Sequence, residues 1–116
     1  MTATADTTPP GAALDETLAL LADPTRRRVV ELLAQRPTPA GQLAVQAGLS
    51  APAMSRHLRL LRRAGVVIER HDGDDARVRV YSLRLDRLSA LRDWLADVER
   101  HWSGQLDSFR RHVEDR

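Results

Sequence analysis

One segment near the middle of the chain constrains the fold more than any other feature of the sequence. Between Gly48 and Gly65 it carries two rows of residues at the helical spacings 4, 3 and 4: an apolar row of Met54, Leu58, Leu61 and Gly65, and a second row of Pro52, Arg56, Arg59 and Arg63. The pattern predicts an amphipathic helix over about residues 51–64, with one side packed and the other side basic.

The residues before this segment predict another helix and a tight turn. Gly48 supplies the left-handed conformation that ends a helix, here one over about residues 39–47, and Ser50 is a good N-cap for the next. Ala44 is small where the two helices must meet. Such a pair is a helix-turn-helix, whose second helix is narrow enough to enter the major groove of DNA.

Two further helices are predicted at the start of the chain. Leucines at positions 14, 18 and 21 recur at helical spacing and predict a helix that ends near Ala22. Asp23 can cap a following helix, and Pro24 suits its first turn, where no amide donor is needed. We expect this second helix to run to about Gln35.

A β-hairpin is predicted directly after the basic helix. Residues 66–71 and 76–83 are rich in β-branched side chains and are separated by Asp72-Gly73-Asp74-Asp75. A hairpin in this place makes the fold a winged helix-turn-helix, mainly α with a β-hairpin wing.

The C-terminal segment predicts one long helix after Asp86. Its apolar residues lie 3 or 4 apart, nearly as a heptad seam: Leu88, Leu91, Leu95, Val98, Trp102, Leu106, Phe109 and Val113. We expect this row to pack against a partner chain. Trp94 and Trp102 are therefore interpreted as packing residues and not as walls of a ligand pocket.

The length and composition agree with one domain. A chain of 116 residues suits a single core, and residues 1–13, which lack apolar periodicity, are expected to form a disordered tail before a domain over 14–116. The sequence has no cysteine, which excludes disulfides and thiolate metal sites. Without a bilayer-spanning apolar run or a signal peptide, a cytoplasmic protein with no membrane partner is expected.

The charges of the chain are divided unevenly. All 18 cationic residues are arginine. Residues 24–84 hold 12 of them against five acidic residues, a net charge of +7, whereas the rest of the chain has a net charge of −5. A basic middle between acidic ends indicates a module that faces an anion, here a polynucleotide.

Several spaced motifs resemble the ArsR-type winged-helix repressors of bacteria. They are Leu21-Ala22-Asp23-Pro24-Thr25-Arg26-Arg27, Leu49-Ser50, Ser55-Arg56-His57-Leu58 and Leu61-Arg62-Arg63-Ala64-Gly65-Val66-Val67. The resemblance covers about residues 14–105. It implies a homodimer that binds an inverted-repeat operator in double-stranded DNA and represses transcription.

The resemblance also implies which residues make contacts. For the dimer, joined by the first and last helices, they are Leu14, Leu18, Leu91, Leu95, Val98, Trp102, Leu106 and Phe109. For DNA they are Ser50, Ala51, Ser55, Arg56 and His57 near the start of the recognition helix, and Arg77 and Arg79 of the wing. Two departures from the family pattern weaken the expected DNA contacts. Relatives often have Gln where this chain has Ala51, and the tip of the wing is acidic.

The basic helix adds Arg59 and Arg63 to the predicted DNA contacts. Arg56 is expected to read a base and the other two to touch phosphate, the alternative being a solvated helix face. Ser50 can be a helix cap, a phosphate contact or both. His57 can equally be a packing residue, and Arg26, Arg27 and Arg28 are interpreted as surface residues that form ion pairs.

A metal site is the main alternative within the same fold. Glu99, His101, His112 and Asp115 have the separations 2, 11 and 3 of the ligand set in zinc-sensing members of the resembled family. Counted from the wing, however, that set falls on Asp86, Leu88, Glu99 and Trp102, or on Leu85, Arg87, Val98 and His101, and neither set can hold zinc. These residues are therefore interpreted as surface charge, and no metal or other cofactor is expected.

No enzyme activity is expected. The sequence offers no local nucleophile with a base and an orienting acid, and no glycine loop that would cradle a phosphate. We therefore expect a sequence-specific DNA-binding regulator. The alternatives are a metal-responsive repressor of the same fold and a winged-helix interaction module that never binds DNA. No residue pattern identifies an inducer.

Overall fold

The fold is mainly helical with a small antiparallel sheet. The computed structural model describes residues 11–72 and 75–114. In chain order its elements are α1 (Ala12–Leu21), α2 (Pro24–Gln35), β1 (Thr38–Pro39), α3 (Ala40–Ala47), α4 (Ala51–Arg63), β2 (Val67–Asp72), β3 (Asp75–Leu83) and α5 (Leu85–Glu114). The predicted winged helix-turn-helix is confirmed, with α3 and α4 as its helix pair and β2 and β3 as its wing.

The first two helices meet at the predicted cap. The carboxylate of Asp23 accepts hydrogen bonds from the backbone amides of Thr25 and Arg26, and Pro24 occupies the first turn of α2. The first helix begins at Ala12, two residues before the predicted start. The expected disordered tail therefore loses its last two residues to α1, and its residues 1–10 lie outside the described range.

The wing belongs to a three-stranded sheet in the order β1-β3-β2. The two-residue strand β1 pairs Thr38 with Tyr81 and Pro39 with Val80. Sequence reasoning did not predict β1, since a proline cannot donate to a strand ladder and is tolerated only at such an edge. The glycine at the predicted tip of the hairpin, Gly73, and Asp74 lie outside the described residues.

The core lies between α2, α3, α4 and the base of the sheet. Its buried side chains are aliphatic for the most part: Val29, Leu33, Leu43, Ala44, Met54, Leu58, Leu61, Ala64, Val66, Val67 and Tyr81. Three of them, Met54, Leu58 and Leu61, form the predicted apolar row of α4. Burial of this row fixes which side of α4 faces the protein and which faces outward.

The last helix extends away from this core. It has 30 residues, a length of about 45 Å at the rise of an α-helix, and it packs against α1. None of its residues is buried. No helix within the described part of the chain combines the length and the apolar character that crossing a membrane requires.

Candidate nucleic-acid interface

The turn between α3 and α4 is built from local hydrogen bonds. Gly48 adopts a left-handed conformation with φ of 70° and donates to the backbone oxygen of Val45 at 3.2 Å. Leu49 donates to the oxygen of Ala44 at 2.9 Å. Ser50 then begins α4, since its Oγ accepts the amide of Ala53 at 3.2 Å. The predicted turn glycine and N-cap are thus confirmed.

The outward side of α4 carries unpaired positive charge. Arg56, Arg59 and Arg63 are exposed, and none of them has a hydrogen bond or an ion pair within the residues that the structure describes. Their positions on the helix are opposite the buried row. A helix that offers three free guanidinium groups along one side can bind a series of anionic groups such as phosphates.

Arg62, next to Arg63 in the sequence, differs from the arginine row because it has an ion-pair partner. Its Nη1 lies 2.9 Å from Oε2 of Glu69 in β2, so this guanidinium joins the end of α4 to the wing. The phenol of Tyr81 in β3 donates to the same oxygen at 2.6 Å. The three residues connect the recognition helix to both long strands of the wing, a link that no local sequence pattern indicated.

The two titratable members of this group influence each other. The hydrogen bond from Tyr81 lowers the pKa of Glu69, and the nearby charge of Arg62 acts in the same direction. Burial raises the pKa of Tyr81, and the hydrogen bond to Glu69 adds to this increase. The carboxylate and the neutral phenol are therefore both favoured at neutral pH.

Three smaller residues predicted to contact DNA lie in the first turns of α4. Ser50, Ala51 and Ser55 are all exposed. The hydroxyl of Ser50 is engaged as the cap, and the cap leaves its own proton free to donate elsewhere. The structure therefore places these residues beside the arginine row at the N-terminal part of α4.

His57 lies at the side of α4 that faces α2. It is half-buried, and its Nδ1 is 3.3 Å from Nη1 of Arg26. Arg26 was interpreted as a surface residue, but its side chain is only 16% exposed. It also donates from its amide to Asp23, and this backbone hydrogen bond lowers the pKa of that carboxyl. The predicted ion pair of Arg26 is present, since its Nη1 lies 3.9 Å from Oδ2 of Asp23, but the predicted surface position is corrected, because its side chain also contacts α1 and α4 and is largely buried.

The wing presents the two arginines that the sequence singled out. Arg77 and Arg79 are exposed on β3 and lie on the same face of the strand, since side chains two residues apart share a face. Arg79 pairs across the hairpin with His71. Both arginines therefore place their guanidinium groups on one face of the wing.

The row predicted to form a dimer interface is exposed on α5. Leu95, Val98, Trp102, Leu106 and Phe109 are all exposed, and Trp102 reaches 63%. Leu18 of α1 is also exposed, whereas Leu14 and Leu91 are half-buried. Among the described residues of one chain, nothing covers most of this long apolar surface.

The candidate metal ligands are spread along α5. Glu99, His101 and His112 are exposed on this one helix, and the two histidines are separated by 11 residues, about 16 Å along its axis. Asp115 lies outside the described residues. Among the described residues, no three acidic or histidine side chains are close enough to hold one ion.

These features define a class of protein. A helix pair joined by a left-handed glycine, a recognition helix with free arginines and an adjoining β-hairpin are the parts of a winged helix-turn-helix DNA-binding protein.

Comparisons with known proteins agree with this class. A family model described as a helix-turn-helix domain matches residues 21–70. The chain is 38% identical over 100 residues to the HTH-type transcriptional regulator Rv2034 of Mycobacterium tuberculosis. This aligned region covers 86% of this chain and 88% of that protein. It is 32% identical to the transcriptional repressor SdpR of Bacillus subtilis, over 65% of this chain and 80% of that one.

A solved structure gives the family. The crystal structure of an ArsR family transcriptional regulator, RHA00566, superimposes with a TM-score of 0.69 and 28% identity, covering 78% of this chain and 97% of that chain. The chain belongs to the ArsR-type winged helix-turn-helix transcriptional regulators, and it is a DNA-binding regulator and not an enzyme.

Proposed function

We propose that this regulator is a homodimeric repressor that binds an inverted-repeat operator, with α4 of each subunit in the major groove of one half-site. The observation that carries the proposal is the free arginine row of α4. The α4 helix of each subunit is only 13 residues long, about 20 Å, and can lie in the groove while its apolar row stays packed in the core.

The proposed contacts divide between bases and phosphates. Arg56 lies in the N-terminal half of α4, which is the part that reaches base edges in helix-turn-helix proteins, and a guanidinium can bind guanine through two hydrogen bonds. Arg59 and Arg63 continue toward the C-terminal end and are assigned to phosphates. Ser50, Ala51, Ser55 and His57 border this row, and Arg77 and Arg79 are assigned to the DNA backbone beside the groove.

The proposed dimer rests on the exposed apolar row of α5. A row of this length on a helix without any buried residue is what an interface between two copies requires. The first helix packs against α5, and its Leu18 is exposed as well. A two-fold dimer binds a two-fold site, so half-site centres are expected about 10 base pairs apart or at a multiple of that distance.

The direction of regulation is supported by a relative. SdpR is named a transcriptional repressor, and its similarity covers 65% of this chain. A bound dimer on an operator close to the promoter of its own gene would block transcription. The proposed site of action is the cytoplasm, because the relatives named above come from bacteria, whose DNA lies there.

The proposal is tested by fluorescence anisotropy with DNA from upstream of the gene and with random DNA of the same length. Arg56→Ala is expected to reduce discrimination between the two by about 1–3 kcal/mol, whereas Arg59→Ala weakens both complexes about equally. Arg92→Ala in α5 removes an exposed arginine outside α4 and serves as the control. Equal behaviour of the first two variants would refute the assigned roles.

Two further measurements test the rest of the proposal. Affinity should fall steeply as salt rises, since the contacts release counterions from phosphate. Sedimentation equilibrium should find a dimer that Trp102→Glu dissociates, because that side chain is 63% exposed in one chain. Failure of the wild-type protein to retard its upstream DNA at low salt would favour an interaction module for an acidic protein partner.

A further inference from the structure

Arg26 joins three elements around the recognition helix. Its Nε donates to the backbone oxygen of Leu20 in α1 at 2.8 Å, and its Nη1 lies 3.3 Å from Nδ1 of His57 in α4. Its amide donates to Oδ1 of Asp23 at 3.1 Å, at the start of α2. Its Nη1 also lies 3.9 Å from Oδ2 of Asp23, and the side chain is only 16% exposed, so its side-chain contacts determine its conformation.

The contact with Arg26 determines where the proton of His57 resides. A guanidinium carries five N–H donors and no acceptor. The Nδ1 atom of His57 must therefore be the acceptor in this hydrogen bond, and a neutral ring then carries its proton on Nε2. Among the described residues, nothing accepts a hydrogen bond from that Nε2. The free nitrogen of this half-buried ring is thus a donor.

The position of His57 indicates which group on DNA would accept this hydrogen bond. His57 is the seventh residue of α4 and lies at the edge of the helix facing α2, next to Arg56 in the chain. Base contacts come mainly from the N-terminal residues of a recognition helix, and the first helix of the motif crosses the DNA backbone. His57 lies at the edge of α4, outside the exposed arginine row that is assigned to the groove. An acceptor at this edge is therefore a phosphate oxygen.

We propose that Arg26 is a positioning residue that holds His57 with Nε2 protonated, so that His57 donates a hydrogen bond to a phosphate of the bound DNA. The inference rests on the proposed DNA-binding function, and it gives His57 a direction of hydrogen bonding that the sequence left open. Arg26 itself does not touch DNA in this arrangement.

The first test determines which ring nitrogen of His57 carries a proton. It uses long-range proton–nitrogen NMR of the free protein at a pH of about 8.5, where an ordinary histidine is neutral. We expect an unprotonated, hydrogen-bonded Nδ1 in the wild type. Arg26→Met should move the ring-nitrogen chemical shifts of His57 toward those of the exposed rings of His101 and His112. The control Arg27→Met should not, because among the described residues Arg27 bonds only to the backbone oxygens of Leu21 and Ala22. A proton on Nδ1 of the wild type would overturn the inference, whether or not the variants fold.

The second test separates the two nitrogens by mimicry. The side-chain oxygen of His57→Asn can take the place of Nδ1 and accept from Arg26, but this variant lacks the donor at Nε2. The amide of His57→Gln reaches the position of Nε2 and can donate. We expect the Asn variant to bind operator and random DNA about tenfold more weakly, and the Gln variant to stay within about threefold of the wild type.

The outcomes distinguish the inference from the proposed function. Wild-type affinity of His57→Asn would overturn the phosphate contact while operator binding by the wild type still supports the proposed function. A loss confined to operator DNA would assign His57 to a base and also overturn the inference. Failure of the wild type to bind any DNA would contradict the proposed function, and the NMR test of Arg26 does not depend on DNA.

Discussion

Replacing Tyr81 by phenylalanine removes one hydroxyl from the group that joins α4 to the wing. That hydroxyl donates to Oε2 of Glu69 at 2.6 Å, and the two side chains are largely enclosed, with Glu69 only 14% exposed. A hydrogen bond to a charged group contributes about 1.5–3 kcal/mol to stability. The phenylalanine ring fills the same space, so no cavity cost is added. We expect the free energy of unfolding to fall by about 1.5–3 kcal/mol at pH 7.

The size of this loss should depend on pH at both ends of the scale. The folded-state pKa of Glu69 is lowered, so its contribution is present above its ordinary value of 4.5 and is lost as the pH falls through the folded pKa. The folded-state pKa of Tyr81 is raised, so its contribution is present below 10.0 and is lost as the pH rises through the folded pKa. The difference between wild type and Tyr81→Phe is therefore largest between these two ranges.

Urea denaturation at several pH values measures this difference, with both proteins at one concentration because the proposed dimer would make stability depend on concentration. The sequence contains one tyrosine, so the ultraviolet absorbance of phenolate reports Tyr81 alone. Glu69→Gln is the matched control that separates the charge from the hydrogen bond, since its amide oxygen still accepts from the phenol but carries no charge. A loss below about 0.5 kcal/mol at pH 7, or a phenol that titrates at its ordinary pKa, would refute the reasoning.

Three other substitutions test the backbone and core that hold α4. Ser50→Ala removes the cap on the amide of Ala53 and should lower the free energy of unfolding by about 1 kcal/mol in urea, and an unchanged value would show that the cap is not needed. Gly65→Ala should cost about 1–2 kcal/mol, because φ there is 78°, whereas Gly104→Ala in open space on α5 should not destabilise the protein. Leu61→Ala, at 0% exposure, should cost about 2–5 kcal/mol by calorimetry, and a similar loss for the neighbouring, exposed Leu60→Ala would contradict the assignment of the core.

The helix-turn-helix could be predicted from the sequence because its determinants are local. The glycine at position 48, the serine cap and the two rows of α4 act over a few residues, so their spacing alone predicts the bounds of α4 to within one residue. Strand β1 could not be predicted in this way. Its two residues carry no strand pattern, and they pair only because the fold brings β3 beside them.

The sequence by itself determined that one side of α4 is basic, since the order of the residues fixes which side chains share a face of a helix. It could not determine which of those arginines are free. Arg62 and Arg63 are adjacent and chemically identical, yet the tertiary structure pairs Arg62 with Glu69 and leaves Arg63 unpaired among the described residues. Likewise Arg26 meets His57 from 31 residues away. Helical periodicity is a property of neighbouring residues, whereas these pairings depend on how α1, α2, α4 and the wing pack together.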